Sequence, residues 1–270
     1  MVYWGLKAIL WPVFRLLFRW RIDGREHVPS SGPAVIAANH QSFCDSLFLP
    51  LAIRRRVTFL AKAEYFDSKK TAWFFRAAGQ IPMSRGGGDK SQRALDTATQ
   101  VLRGGDLLGI YPEGTRAPDA RLHRGHTGVA RLALGCQVAV IPVGIIGTRK
   151  VQPPGCRLMR AFHPVTLRFG PPLSEGPDGA DGEAGAHGTD AAADPEELRR
   201  FTDALMTEIA KLSGQEYVDE YANRAKAPGA PNRGDNGAPG TAAARALQAR
   251  VRRSHLVTGR KQRIHNDGLA

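Results

Sequence analysis

Cysteine is scarce in this 270-residue sequence. Cys44, Cys136 and Cys156 are widely spaced and form no CxxC pair. That excludes a disulfide framework and fits a reduced, cytosolic compartment, so no structural disulfide is expected. The N-terminal stretch lacks a long uncharged run too. After Lys7 the N-terminal stretch is uncharged only from Ala8 to Phe14, too short to cross a bilayer. Arg15 and Arg19 interrupt any signal-peptide core, and no small-residue cleavage site follows. Acidic residues are few: 25 Asp and Glu against 38 Lys and Arg leave a net charge of +13. With 42% hydrophobic and 23% charged residues, wholesale disorder and collagen-like composition are excluded, and one core-forming domain with appendages remains.

The positive charge calls for an anionic partner: a lipid surface, a phosphorylated substrate or nucleic acid. It is unevenly placed. Residues 1–173 hold 25 basic against 10 acidic residues, 174–197 hold eight acidic and no basic ones, and 226–270 hold nine basic against two acidic. Near the N-terminus, Tyr3, Trp4, Trp11, Phe14, Phe18 and Trp20 alternate with Lys7, Arg15, Arg19 and Arg21. This pattern predicts a helical element, broken or kinked at Pro12, lying in a membrane interface. The competing reading is an amphipathic helix docked on the protein's own core.

Short apolar runs predict buried strands over 33–38, 57–61, 80–83, 107–111 and 138–143. Helices are expected from Asp45 to the vicinity of Pro50 and over 71–78, 90–103 and 127–135. Their alternation indicates an α/β fold: a single domain whose central, mostly buried sheet is flanked by helices. Residues 176–195 are Gly, Ala and Asp without apolar periodicity, which predicts a solvated, disordered loop. At its end Asp194 and Pro195 fit the N-cap and first position of a helix, whose Leu198, Phe201, Leu205, Ile209 and Leu212 would pack on the body. The division expected is an N-terminal interfacial helix over 1–26, a main domain over 27–225 and a disordered basic tail over 226–270.

Chemistry-bearing residues fall at predicted strand ends. His40 and Asp45 stand five apart at the exit of the first strand. A turn into a helix there would fold the carboxylate onto one imidazole nitrogen and leave the other as a general base. On its own the pair better fits a loop histidine and an N-cap aspartate. Farther on, Ile110-Tyr111-Pro112-Glu113-Gly114-Thr115-Arg116 ends a strand in a tight turn carrying a carboxylate and a guanidinium. Gly79-Gln80-Ile81-Pro82-Met83-Ser84-Arg85 places another Arg after a short strand, suited to forked bonds to phosphate oxygens.

Taken in order, Asn39-His40 with Asp45, Phe59-Leu60-Ala61-Lys62-Ala63-Glu64-Tyr65-Phe66, the Gly79 to Arg85 block, Tyr111 to Arg116 and Val140-Ile141-Pro142-Val143 resemble the signature blocks of the glycerolipid acyltransferases. The bacterial 1-acylglycerol-3-phosphate acyltransferases look most similar, over roughly residues 20–170. The resemblance implies acyl transfer from acyl-CoA or acyl carrier protein to the sn-2 hydroxyl of lysophosphatidic acid, giving phosphatidic acid. It makes His40 the base and Asp45 its orienting partner, with no acyl-enzyme, no metal and no cofactor beyond the thioester co-substrate. It puts Lys62, Arg85 and Arg116 around the acceptor phosphate, and Glu113, Gly114 and Thr115 in the acceptor turn, where Glu113 either contacts the acceptor or holds the loop. Ala117 stands where many relatives have Ser.

Implied partners are an anionic membrane surface, a lysophospholipid acceptor and acyl carrier protein, with no nucleic acid. The implied placement is peripheral or monotopic, on the cytoplasmic face of the cell membrane. Other acceptors such as glycerol 3-phosphate, a lysophospholipid or a glycolipid, a non-enzymatic basic membrane- or nucleic-acid-binding protein, and a metal-dependent hydrolase remain as alternatives. Cys44 reads as a buried, inert thiol and not an acyl relay. Gly86-Gly87-Gly88 reads as a loop, and His123 and His126 as solvated histidines. Arg54-Arg55-Arg56 and Lys69-Lys70 are either a solvated face or headgroup contacts.

Overall fold

A computed structural model describes residues 2–62, 66–68, 72–73, 75–76, 79–83, 89–156, 158–173 and 194–225. Helix α1 (Val2–Leu17) leads into strand β1 (Arg19–Asp23). Then follow β2 (Ala34–Ala38), α2 (Asp45–Ala52), β3 (Val57–Lys62) and β4 (Gln80–Met83). The middle of the chain forms α3 (Asp89–Arg103), β5 (Leu107–Ile110), the short β6 (Leu122–His123) and α4 (Gly128–Cys136). After β7 (Val140–Ile146) come the single-turn α5 (Thr148–Val151) and β8 (Pro164–Phe169). The last elements are α6 (Pro195–Ser213), β9 (Tyr217–Val218) and α7 (Ala222–Ala225).

Seven strands form one sheet in the order β1-β8-β7-β2-β5-β3-β4, and β6 pairs with β9 in a second, two-stranded one. Within the large sheet every neighbouring pair is parallel except β7 with β8. The central strand β2 explains why its sequence is apolar throughout. Ala34, Ile36 and Ala38 face a core with Phe48 and Ile141, while Val35 and Ala37 face another with Leu102, Leu132 and Ile209. A strand covered on both faces has no polar side to alternate with.

The expected α/β domain is present, with differences at its margins. Residues 19–23, read as a continuation of the N-terminal element, are an edge strand paired in parallel with β8. Pro12 does not break α1, which runs on to Leu17. Ala8 and Pro12 are both exposed, so the carbonyl that loses its i+4 partner faces solvent. Pro50 likewise lies inside α2. One face of α1 docks on the body: Phe14 is buried and packs edge-on to Phe48 at 4.9 Å. Lys7 donates to the carbonyls of Pro50 and Ile53 at the end of α2, where the helix dipole favours a cation. The opposite face leaves Val2, Ile9, Val13 and Leu16 exposed.

Asp194 caps α6 by accepting from the Glu196 N–H, with Pro195 at the first position. The helix expected over 71–78 lies largely outside the described residues. So do the loop at 176–195, apart from its last two positions, and the tail at 226–270.

Candidate active site

Because β2, β5, β3, β4 and β7 run parallel, their carboxyl ends open on one edge of the sheet, where α/β folds place ligands. The chain leaves β2 at Ala38 and turns through 39–44 into α2, whose first residue is Asp45. One oxygen of Asp45, Oδ2, accepts from the backbone N–H groups of Gln41 at 2.7 Å and Ser42 at 2.8 Å, and lies 3.0 Å from His40 Nδ1. An ionised carboxylate only accepts, so Nδ1 carries a proton, and in the neutral imidazole Nε2 keeps its lone pair. Asp45 is fully buried, whereas the His40 side chain retains 12% exposure. One nitrogen is anchored in the protein and the ring still reaches solvent.

The turn after β5 packs on the same histidine. Ala37 pairs with Ile110, which sets His40 beside Tyr111. Their rings stack with centroids 3.9 Å apart and planes 10° from parallel. The Tyr111 hydroxyl meets Ser46 Oγ at 3.1 Å, and burial holds that phenol well above its usual pKa. Phe59 also stacks on Tyr111, at 5.7 Å. Gly109 makes room for it, since a Cβ there would fall 2.3 Å from the Phe59 ring.

Glu113 is 1% exposed. Its Oε1 accepts from the His40 N–H at 2.9 Å and its Oε2 from the His123 N–H at 3.0 Å. Both oxygens are therefore committed to holding the two loops together. Burial pushes this carboxyl up to about 8, outweighing the two backbone bonds that lower it. Gly114 takes a left-handed φ of 68°, which closes the turn and leaves Gly114 and Arg116 exposed and Thr115 half-buried. Lys62 ends β3 on the same edge of the sheet; Arg85 lies outside the described residues, two positions past β4.

Three features of this edge went unread in the sequence. The Asn39 amide pairs with the Ile145 backbone, donating at 2.9 Å and accepting at 2.7 Å, and fixes the exit of β2 to β7. The Arg149 guanidinium donates to Asp119 O at 2.8 Å and Pro118 O at 3.0 Å, bracing the loop that follows Arg116. The segment after α6 lies across that loop, with Leu122 N–H donating to Glu216 O and Arg124 N–H to Glu220 O. Each contact joins backbone distant in sequence, so no local spacing announces it.

Cys44 is buried and its thiol is pushed up to about 12 by burial, which leaves it protonated and poorly nucleophilic at neutral pH. His123 is not solvated, whereas His126 is exposed, as expected. His123 is buried between Asp119 and Glu220 O, and His126 stacks on Tyr221 at 4.6 Å. Arg55 is neither a solvated nor a headgroup cation, because its guanidinium clamps the carbonyls of Pro29, Gly32 and Gly105.

Residues 19–146 match the family model described as Acyltransferase. This stretch is an acyltransferase-family domain. Its edges coincide with β1 and β7, so it spans the His40 loop, the Glu113 turn and the sheet between them. Over 151 residues the chain is 32% identical to a chloroplast 1-acyl-sn-glycerol-3-phosphate acyltransferase of Arabidopsis thaliana, covering 55% of this chain and 42% of that protein. A 1-acyl-sn-glycerol-3-phosphate acyltransferase of Bacillus subtilis is 28% identical over 42% of this chain and 56% of its own length. The chain thus spans about half the length of these relatives. The fold matches the crystal structure of a 1-acyl-sn-glycerophosphate acyltransferase from Thermotoga maritima, with a TM-score of 0.58 and 24% identity over 78% of this chain and 79% of that one. No helix among the described residues is long and apolar enough to cross a membrane.

Proposed function

We propose that this acyltransferase domain moves an acyl group from a thioester, acyl-CoA or acyl carrier protein, to the sn-2 hydroxyl of a 1-acylglycerol 3-phosphate, giving phosphatidic acid. The observation that carries this reading is the His40–Asp45 pair, with Nδ1 3.0 Å from the buried carboxylate and the ring still partly exposed. The names of the relatives support the acceptor. As the hydroxyl oxygen attacks the thioester carbonyl carbon, Nε2 takes the hydroxyl proton. When the tetrahedral intermediate collapses the C–S bond breaks, and the imidazolium returns that proton to the departing thiolate. Ester and thiol are the products, and no bond to the enzyme forms. Asp45 stabilises the transient imidazolium. Arg116, Lys62 and Arg85 supply the cations for the acceptor phosphate, each suited to charge-assisted bonds. Both acceptor and product carry acyl chains, so the enzyme works at the cytoplasmic face of an anionic membrane, held there by the exposed face of α1.

The test is thiol release from palmitoyl-CoA or a palmitoyl carrier protein by detergent-purified protein, with 1-acylglycerol 3-phosphate, glycerol 3-phosphate or a lysophospholipid as acceptor. We expect release that requires 1-acylglycerol 3-phosphate and falls by about 10²- to 10⁴-fold in His40→Ala. Release with another acceptor alone would reassign the substrate. Unchanged release in His40→Ala would remove the proposed base.

A further inference from the structure

Ten large hydrophobic side chains stand exposed among the described residues, and nine of them sit on two elements: six on α1 and three, Leu158, Met159 and Phe162, on the loop between α5 and β8. Single exposed hydrophobics are ordinary, but a concentration of this kind marks an interaction surface. The backbone joins the two elements, since the Phe162 N–H donates to Leu17 O at 2.6 Å. Leu158 is 84% and Phe162 70% exposed. Phe162 also holds a φ of 64°, a conformation disfavoured for a bulky residue, and its ring gains little burial within the chain.

Charge identifies what covers this surface. Residues 1–21 hold four cations and no carboxylate, and residues 152–163 hold Arg157 and Arg160 and no carboxylate. Lys7 is turned to the end of α2 and Arg21 pairs with Asp23, which leaves Arg15, Arg19 and Arg160 as an excess of cations that disfavours a second, identical copy and suits anionic lipid. We propose that the loop over 158–162 is a second membrane-inserting element, which with the outer face of α1 forms one continuous surface for an anionic bilayer. Leu158, Met159 and Phe162 enter the boundary between headgroups and acyl chains, while Arg160 stays level with the lipid phosphates. For α1 this rests on the membrane placement proposed above. The loop is an addition to it, and the test needs no acyl transfer.

The experiment is flotation of the full chain with vesicles of equal parts phosphatidylglycerol and phosphatidylcholine, beside vesicles of phosphatidylcholine alone. The variant Leu158→Ser/Met159→Ser/Phe162→Asn removes the loop's apolar surface, and asparagine tolerates the left-handed φ, so circular dichroism and Tm should be unchanged. A separate Ile9→Ser/Leu16→Ser variant probes α1. We expect each variant to bind the anionic vesicles at least tenfold more weakly than the parent, and the parent to prefer them over neutral ones. A loop variant that floats like the parent while the α1 variant does not would overturn the role of the loop and leave α1 standing. Undiminished flotation of both would overturn the membrane placement as well. Self-association of the parent that the loop variant loses would assign the surface to a second copy and overturn the proposal.

Discussion

All three donors around Asp45 converge on one oxygen, which decides what an amide at position 45 would do. In Asp45→Asn the carbonyl oxygen can take over all three bonds and keep the imidazole proton on Nδ1, but the negative charge that stabilises the imidazolium is gone. We expect kcat to fall by about 10²-fold, with the new NH₂ group buried without a partner and unfolding eased by about 1–3 kcal/mol. The ring of Tyr111 holds the His40 imidazole by stacking, and its hydroxyl bonds only Ser46 among the described residues. Tyr111→Phe should therefore keep kcat within a few-fold, whereas Tyr111→Leu should lower kcat at nearly unchanged thioester KM; steady-state kinetics of the two variants distinguish ring from hydroxyl. The His40 and Asp45 positions stood out through the ordered set of motif blocks, because a five-residue spacing at a strand exit by itself describes a loop histidine and an N-cap aspartate better. Tyr111 was read only as part of a motif, because a stacking partner 71 positions away leaves no local pattern.

Strands inside the sheet with both faces covered announced themselves, and so did the short run of the edge strand β4. β2, β3, β5 and β7 were readable because each is an apolar run inside the sheet. β1 and β8 were missed because their sequences, RWRID and PVTLRF, mix charge with apolar residues, as half-exposed strands do. In β1 only Trp20 is buried, between the exposed Arg19 and Arg21, so the stretch looks like more of the helix before it. The two expectations for α1 proved compatible, since one face docks on the core and the other is exposed. Docking has a measurable energy: Phe14 is buried against Phe18 and Phe48, so Phe14→Ala should cost about 3–5 kcal/mol in urea unfolding. A loss below about 1 kcal/mol would mean that α1 is not part of the core.

At the scale of the whole molecule, Glu113 couples the stability of the site to pH. Its carboxyl stands at about 8 in the folded chain against an ordinary value of 4.5, so the folded state binds the extra proton between those values. The stability this group contributes is full below about pH 4.5 and is lost as pH rises through 8. Glu113→Gln should flatten that dependence in thermal unfolding. It should also lower Tm, because the amide NH₂, which cannot accept, would face one of the two backbone N–H groups that the carboxyl oxygens take up. A variant with the parent's pH slope would show that another group sets it. The central claim is that Asp45 acts on the reaction only through His40, and the most direct measurement is kcat for thiol release in His40→Ala, Asp45→Ala and the double variant. The account predicts that the double variant is no slower than His40→Ala alone, as for residues that work as a unit; losses that multiply would contradict it.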